Sequence, residues 1–159
     1  MSVDVANYMD ISYKEPGKFE EITRYEKIHN VVVNSSTEGS LIVAKEIADL
    51  IRAKQKSKSP CVLGLATGSS PIKVYEELVR MHKEEGLSFS NVVSFNLDEY
   101  YPMDKSNIQS YYYFMHEHLF NHVDILPENI NIPDGTVSSE DLYQYCIDYE
   151  MKIKSLGGL

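Results

Sequence analysis

Apolar positions along this chain alternate between two rhythms, short runs bounded by turn residues and longer stretches with helical spacing, and the two kinds follow one another. The run Val31-Val32-Val33 within residues 30–34 predicts a first strand. Ser35 and Glu38 then fit a capping box, and Leu41, Ala44, Ala48 and Ile51 recur at helical spacing, with Lys45, Asp49 and Arg52 on the opposite face. The polar tract from Lys54 to Pro60 ends that helix as a solvated loop, and Cys61 to Ala66 is a second strand. Ser70 is placed to cap the next helix, with Pro71 at its first position and Ile72, Tyr75, Leu78 and Val79 as its inner stripe, stopping near Gly86. Residues 91–97 predict a third strand, residues 106–121 a helix carrying the cluster Tyr111-Tyr112-Tyr113-Phe114, and residues 139–155 a last helix. In that last helix Glu140 and Asp141 sit in the first turn, and Leu142, Cys146, Tyr149 and Ile153 are expected to face inward.

Regular alternation of strand and helix implies an α/β fold: a Rossmann-like parallel sheet with helices on both faces, joined by right-handed crossovers. Residues 1–28 are polar and aperiodic, with a Pro16-Gly17 turn, and are expected to be an extension ahead of one domain at residues 29–159. The composition, 43% apolar and 25% charged over 159 residues, is that of a globular domain with a core. A formal charge of −9, from 15 basic against 24 acidic residues, argues against a nucleic-acid partner. No apolar run reaches the roughly 20 residues a membrane span needs, and the amino terminus lacks signal-peptide character, so a cytoplasmic location with no membrane partner is expected. Cys61 and Cys146 are expected to be reduced and buried.

In such a sheet, ligands gather where strands end and helices begin. The turn Thr67-Gly68-Ser69-Ser70 joins a strand to a helix, where free amides, a partial positive charge, a glycine and hydroxyls suit a phosphate monoester. A well-capped connection that binds nothing is the alternative, and the turn is neither a Walker loop nor a dinucleotide fingerprint. Asp98 and Glu99 leave the third strand at the same sheet edge, and neighbouring residues there point to opposite sides, so one of them faces a ligand. A carboxylate held against a substrate carbon can remove a proton and return it to the next carbon, which is enediol chemistry; turn capping or a surface ion pair is the plain alternative. His118 and His122 stand four apart, but no zincin pattern or third ligand accompanies them, and no metal is expected. The tyrosine cluster is expected to serve core and interface, with one ring reaching the site.

Four ordered segments carry a resemblance: Leu65-Ala66-Thr67-Gly68-Ser69-Ser70-Pro71, Phe95-Asn96-Leu97-Asp98-Glu99-Tyr100, Ser110-Tyr111-Tyr112-Tyr113-Phe114-Met115 and Asn129-Ile130-Asn131-Ile132-Pro133-Asp134-Gly135. Together they resemble the signatures of the glucosamine-6-phosphate deaminases, from about residue 30 onward and over the amino-terminal half of that family's domain. The resemblance implies conversion of glucosamine 6-phosphate and water to fructose 6-phosphate and ammonia, with neither cofactor nor metal. It implies Asp98 as the proton acceptor between C2 and C1, and Thr67, Gly68, Ser69, Ser70 and Tyr111 as substrate-binding residues, with Glu99 in support. Serines at 69 and 70 depart from the commoner Thr-Gly-Gly-Thr-Pro form. The family's ring-opening pattern, Asp-x-His-x-x-x-x-Glu, does not occur in these 159 residues, so the chain is expected to be an incomplete domain, inactive alone and a homo-oligomer through its exposed sheet edges. A 6-phosphogluconolactonase shares the fold, but its usual Asp-Glu-Arg differs from Asp98-Glu99-Tyr100; a sugar-phosphate sensor without turnover is the non-enzymatic alternative.

Overall fold

The computed structural model of the protein describes residues 31–158. Helix α1 spans Ser36–Lys56, strand β1 Cys61–Leu65, helix α2 Ile72–Glu85, strand β2 Val92–Asn96, helix α3 Tyr111–His118, strand β3 Ile130–Asn131 and helix α4 Leu142–Ser155. Two short 3-10 turns, Phe120–His122 and Pro127–Asn129, lie between α3 and β3. The expected extension at residues 1–28 lies outside the described residues.

Each local structure has a visible cause. Ser35 caps α1 by accepting the amide of Glu38, while Glu38 reaches back to the amide of Asn34. That reach consumes the end of the expected first strand. Residues 31–33 form no strand and Val32 is 94% exposed, because no described strand lies beside them to pair with; residue 30 lies outside the described residues. Pro71 itself occupies the cap position of α2 with no side-chain cap, so Ser70 does not play the expected capping part. Helix α2 buries Val74, Tyr75, Leu78 and Met81, with Val79 at the margin, and closes on Gly86, whose φ of +70 is left-handed.

Helix α3 begins five residues later than the periodicity predicts, because side chains intercept the backbone first. Asp104 accepts the amide of Ser106, Asn107 accepts the amide of Gln109, and Ser110 caps the helix through the amide of Tyr113. Likewise Ser138 and Asp141 bind each other ahead of α4, which starts at Leu142 rather than Ser139. The two-residue strand β3 was not foreseen, being too short to show alternation.

The three strands are parallel in the order β1-β2-β3, with Leu65 paired to Asn96 and Phe95 to Asn131. Alternation along β1 and β2 sends Cys61, Leu63, Leu65 and Val92 to one face, where they meet Ala44, Ala48 and Ile51 of α1, Leu78 of α2 and Met115 of α3. Each fully buried valine, leucine, isoleucine or methionine there contributes about 1.5–3 kcal/mol. Cys61 is buried at this face, and burial pushes its thiol pKa up, which leaves it unreactive.

The other face is covered by α4, and more thinly. Phe95 packs edge-on against Tyr149 at 5.6 Å between ring centroids. No residue of α4 is fully buried: Leu142, Tyr149 and Ile153 are half-buried, and Cys146 is exposed, contrary to its expected inward position. The helix is held by polar ties instead, with the Tyr149 hydroxyl shared between the carbonyls of Asn96 and Asn131 at 2.8 and 3.0 Å. On the opposite face, Tyr75 of α2 donates in the same manner to the carbonyl of Ala66, just beyond β1. No helix of the described residues is long and apolar enough to cross a membrane.

Candidate active site

Strands β1 and β2 end side by side, and the residues that follow them build an open recess of about 400 Å³ lined by Ala66, Thr67, Leu97, Asp98 and Tyr111. The parallel register is the reason: Leu65 and Asn96 are partners, so Thr67 and Asp98 each stand two residues beyond the same rung of the sheet. Asn96 secures that rung by donating its side-chain amide to the carbonyl of Leu65 at 3.0 Å. The carboxylate of Asp98 is exposed to the recess edge, and a second recess of about 310 Å³ on its other side is walled by Tyr145, Cys146, Tyr149 and Glu150 of α4.

Glu99 turns elsewhere. Its two carboxylate oxygens accept the amides of Tyr111 at 2.9 Å and Tyr112 at 3.0 Å, and also the amide of Tyr100 at 2.9 Å. It therefore satisfies the free amides at the start of α3 and meets the positive end of the helix dipole. Through this contact the loop after β2 fixes where Tyr111 enters the site.

Tyr111 stacks at a tilt on Tyr100, 4.8 Å between centroids. Its phenol pKa lies above the ordinary value, raised first by the hydrogen bond with Tyr100, then by partial burial and the charge of Asp98, with the Thr67 hydroxyl acting the other way. The phenol is thus a neutral hydrogen-bond donor beside an anionic carboxylate and a hydroxyl. Such a set can accept a proton from carbon at Asp98 while donating to substrate oxygens from Thr67 and Tyr111.

Gly68 lines a neighbouring recess of about 380 Å³ with Tyr100, Ser110 and Tyr111. Its φ of +101 requires glycine, while the space a Cβ would enter is open. Ser69 and Ser70 are exposed in the same turn and line neither recess. The structure thus brings Thr67, Asp98 and Tyr111 together, sets Gly68 beside them and Glu99 at the amide end of α3, and leaves both serines at the rim.

The segment from Asn129 to Gly135 buttresses this region from below. Asn131 donates its side-chain amide to the carbonyl of Ser94 at 3.0 Å, and Met103 donates its amide to the carbonyl of Gly135 at 2.8 Å. Asp134 accepts from both the amide and hydroxyl of Thr136, which lower its pKa. Sequence reasoning missed Ala66, Leu97 and Tyr100 as wall residues; of these only Tyr100 carried a signal, as the aromatic neighbour of two carboxylates. The histidines are occupied locally: His116 with the side chain of Asn121, His118 against the ring of Phe114, and His122 donating to the carbonyl of Glu117. Among the described residues no cluster of three or more His, Cys, Asp or Glu is placed to hold a metal ion.

The family model for glucosamine-6-phosphate isomerases/6-phosphogluconolactonase matches residues 35–158. Glucosamine-6-phosphate deaminase 2 of Giardia intestinalis is 49% identical over 127 residues, covering 79% of this chain and 46% of that protein. A putative glucosamine-6-phosphate deaminase-like protein of Bacteroides thetaiotaomicron is 48% identical over 149 residues, 92% of this chain but 22% of that protein. Among solved structures, a monomeric glucosamine-6-phosphate deaminase superposes with a TM-score of 0.73 at 38% identity, over 79% of this chain and 50% of that one. A 6-phosphogluconolactonase from Thermotoga maritima shares the fold at a TM-score of 0.61 and 21% identity. The chain spans about half or less of the length of these proteins.

Proposed function

This chain belongs to the glucosamine-6-phosphate isomerase/6-phosphogluconolactonase family, and from that premise we propose that it carries the proton-transfer half of a glucosamine-6-phosphate deaminase site. The observation that carries this is the convergence of Asp98, Thr67 and Tyr111 on one recess at the carboxyl ends of β1 and β2. On the ring-opened amino sugar, Asp98 takes the proton from C2, the C–H electron pair becomes the C1=C2 bond, and the C1=O π pair moves to O1, which takes up a proton from a hydroxyl donor or solvent to give an enediol-type (enolamine) intermediate. Asp98 then returns the proton to C1 while the nitrogen lone pair forms a C2=N bond, and water adds at C2 and expels the nitrogen as ammonia as C2=O forms, leaving fructose 6-phosphate. The amides and hydroxyls of Thr67, Gly68, Ser69 and Ser70, at the uncapped start of α2, contact the phosphate or nearby sugar oxygens. Tyr111 donates to a sugar oxygen, and Glu99 supports it by holding the start of α3.

The activity is proposed for the whole protein, since ring opening calls for groups outside these residues. The chemistry needs neither redox cofactor nor metal; the partner is the amino-sugar phosphate, and the setting cytoplasmic. A homo-oligomer is part of the same proposal, supported by the outer edge of β1, which has no strand partner among the described residues. Asp98→Asn preserves shape and removes the base, so ammonia release from glucosamine 6-phosphate should fall about 10²–10⁴-fold. Binding of fructose 6-phosphate should stay within about twofold. Near-normal turnover in Asp98→Asn would remove Asp98 from the mechanism. Faster hydrolysis of 6-phosphogluconolactone than ammonia release by the unmodified protein would favour the lactonase.

A further inference from the structure

We propose that Asn96 is a positioning residue whose side-chain amide sets the gap between the Thr67–Ser70 turn and Asp98; the catalytic part of this rests on the deaminase reading above. Asn96 is the last residue of β2 and its partner Leu65 the last of β1, so their rung is the final one of the β1–β2 ladder. Beyond it both chains diverge into loops, and no backbone pairing remains to hold them. The bond from Asn96 Nδ2 to the Leu65 carbonyl, 3.0 Å long and buried, is the tie at that point of divergence. Thr67 and Asp98 each follow two residues later, so a change in the tie's length is passed to both at short range.

The chemistry of the surroundings makes this choice of residue informative. Asn96 is 2% exposed, and alternation along β2 places it on the face of Cys61, Leu63 and Leu65, where a leucine would pack well. Its Oδ1 is buried with no hydrogen-bond partner, as is the hydroxyl of Ser94 two residues earlier on the same face. An unpaired acceptor in an apolar core costs free energy, so stability alone does not favour asparagine here. What asparagine supplies is the cross-strand donor. Asn131 makes the analogous bond from β3 to the Ser94 carbonyl, but its Oδ1 accepts from Lys152, so that residue is satisfied as an ordinary strand fastening. Asn91, just ahead of β2, likewise donates its Nδ2 to the carbonyls of Ile51 and Ser59 and leaves a buried Oδ1 unpaired, so this cost falls at both ends of β2, and of the two asparagines it is Asn96 that adjoins Asp98.

Asn96→Leu fills the same space without the donor, and Asn96→Ala serves if leucine prevents folding. Amide hydrogen exchange on this chain should accelerate about tenfold in residues 66–70 and 97–101, with α1 within about twofold of the unmodified protein. Asn131→Ala should not loosen residues 66–70. In the whole enzyme, kcat for ammonia release should fall about tenfold with KM within about twofold. Unchanged exchange in either loop, equal acceleration in α1, loosening of residues 66–70 by Asn131→Ala, or an unchanged kcat each overturns the proposal. If the unmodified enzyme releases no ammonia, the deaminase reading fails, and the exchange pattern alone decides whether Asn96 sets the loop spacing.

Discussion

A Cβ added at Gly135 would stand 2.6 Å from the carbonyl oxygens of Tyr100 and Met103 and 2.9 Å from the Met103 side chain. These are backbone contacts that cannot swing aside, unlike the open space at Gly68, where only the backbone angle demands glycine. Gly135→Ala should therefore destabilise the fold by about 1–3 kcal/mol, seen as a lower urea midpoint at unchanged slope, whereas a midpoint equal to the parent's would mean the loop yields. Residues of this kind differ in how far sequence reveals them. Thr67 and Asp98 could be named because a hydroxyl and a carboxylate at strand ends stand out by type and place, whereas the pattern says only that one ring of the tyrosine cluster reaches the site and the family resemblance is what points to Tyr111. Asn96 and Leu97 could not be named, since the importance of Asn96 lies in the carbonyl it faces across the sheet, and linear spacing does not show that. Ser69 and Ser70 stand with Thr67 in the sequence as hydroxyl donors at a helix start, and the turn presents both to solvent at the rim.

At the scale of elements, helices were legible in their centres and misread at their ends. The stripe of Ala44, Ala48 and Ile51 in α1 is fully buried, as its spacing predicts. The starts of α3 and α4 slipped because Asp104, Asn107, Ser110, Ser138 and Asp141 compete for backbone groups over one or two residues, below the reach of a periodic pattern. Helix α4 shows a further limit: its inward stripe exists, but periodicity does not say how much protein lies opposite. With no fully buried residue, α4 depends on the hydroxyl of Tyr149, the bond from Lys152 to Asn131, and Tyr145 accepting the amide of Asp134 at 2.8 Å. Its amides should exchange at least about tenfold faster than those of α1 by native-state hydrogen exchange. Equal protection in the two helices would show that these polar ties hold as firmly as an apolar seam.

For the molecule as a whole, the alternation of strand and helix was enough to establish a parallel α/β sheet, because that order admits few arrangements. The first expected strand failed for a global reason, the lack of a described partner strand, and β3 escaped for a local one, its two-residue length. Two phenols brace the ends of this sheet from opposite faces, Tyr75 below the turn after β1 and Tyr149 below the ends of β2 and β3. Burial drives both pKa values up, more than the carbonyl bonds lower them, Tyr75 from 10.0 to about 12 and Tyr149 above its ordinary value with help from Tyr145. The folded state therefore keeps protons that the unfolded chain gives up, and stability present below pH 10 should drain away as pH rises towards 12. The chain has twelve tyrosines and no tryptophan, so its near-ultraviolet absorption is a tyrosine signal throughout. Alkaline titration should then show a late phase that coincides with loss of helical circular dichroism. Replacing Tyr75 and Tyr149 together by phenylalanine should abolish the late phase, and its persistence would assign it to other rings. The sheet ends thus carry their own optical label, and the ultraviolet change of two phenols reports when the platform beneath Asp98 comes apart.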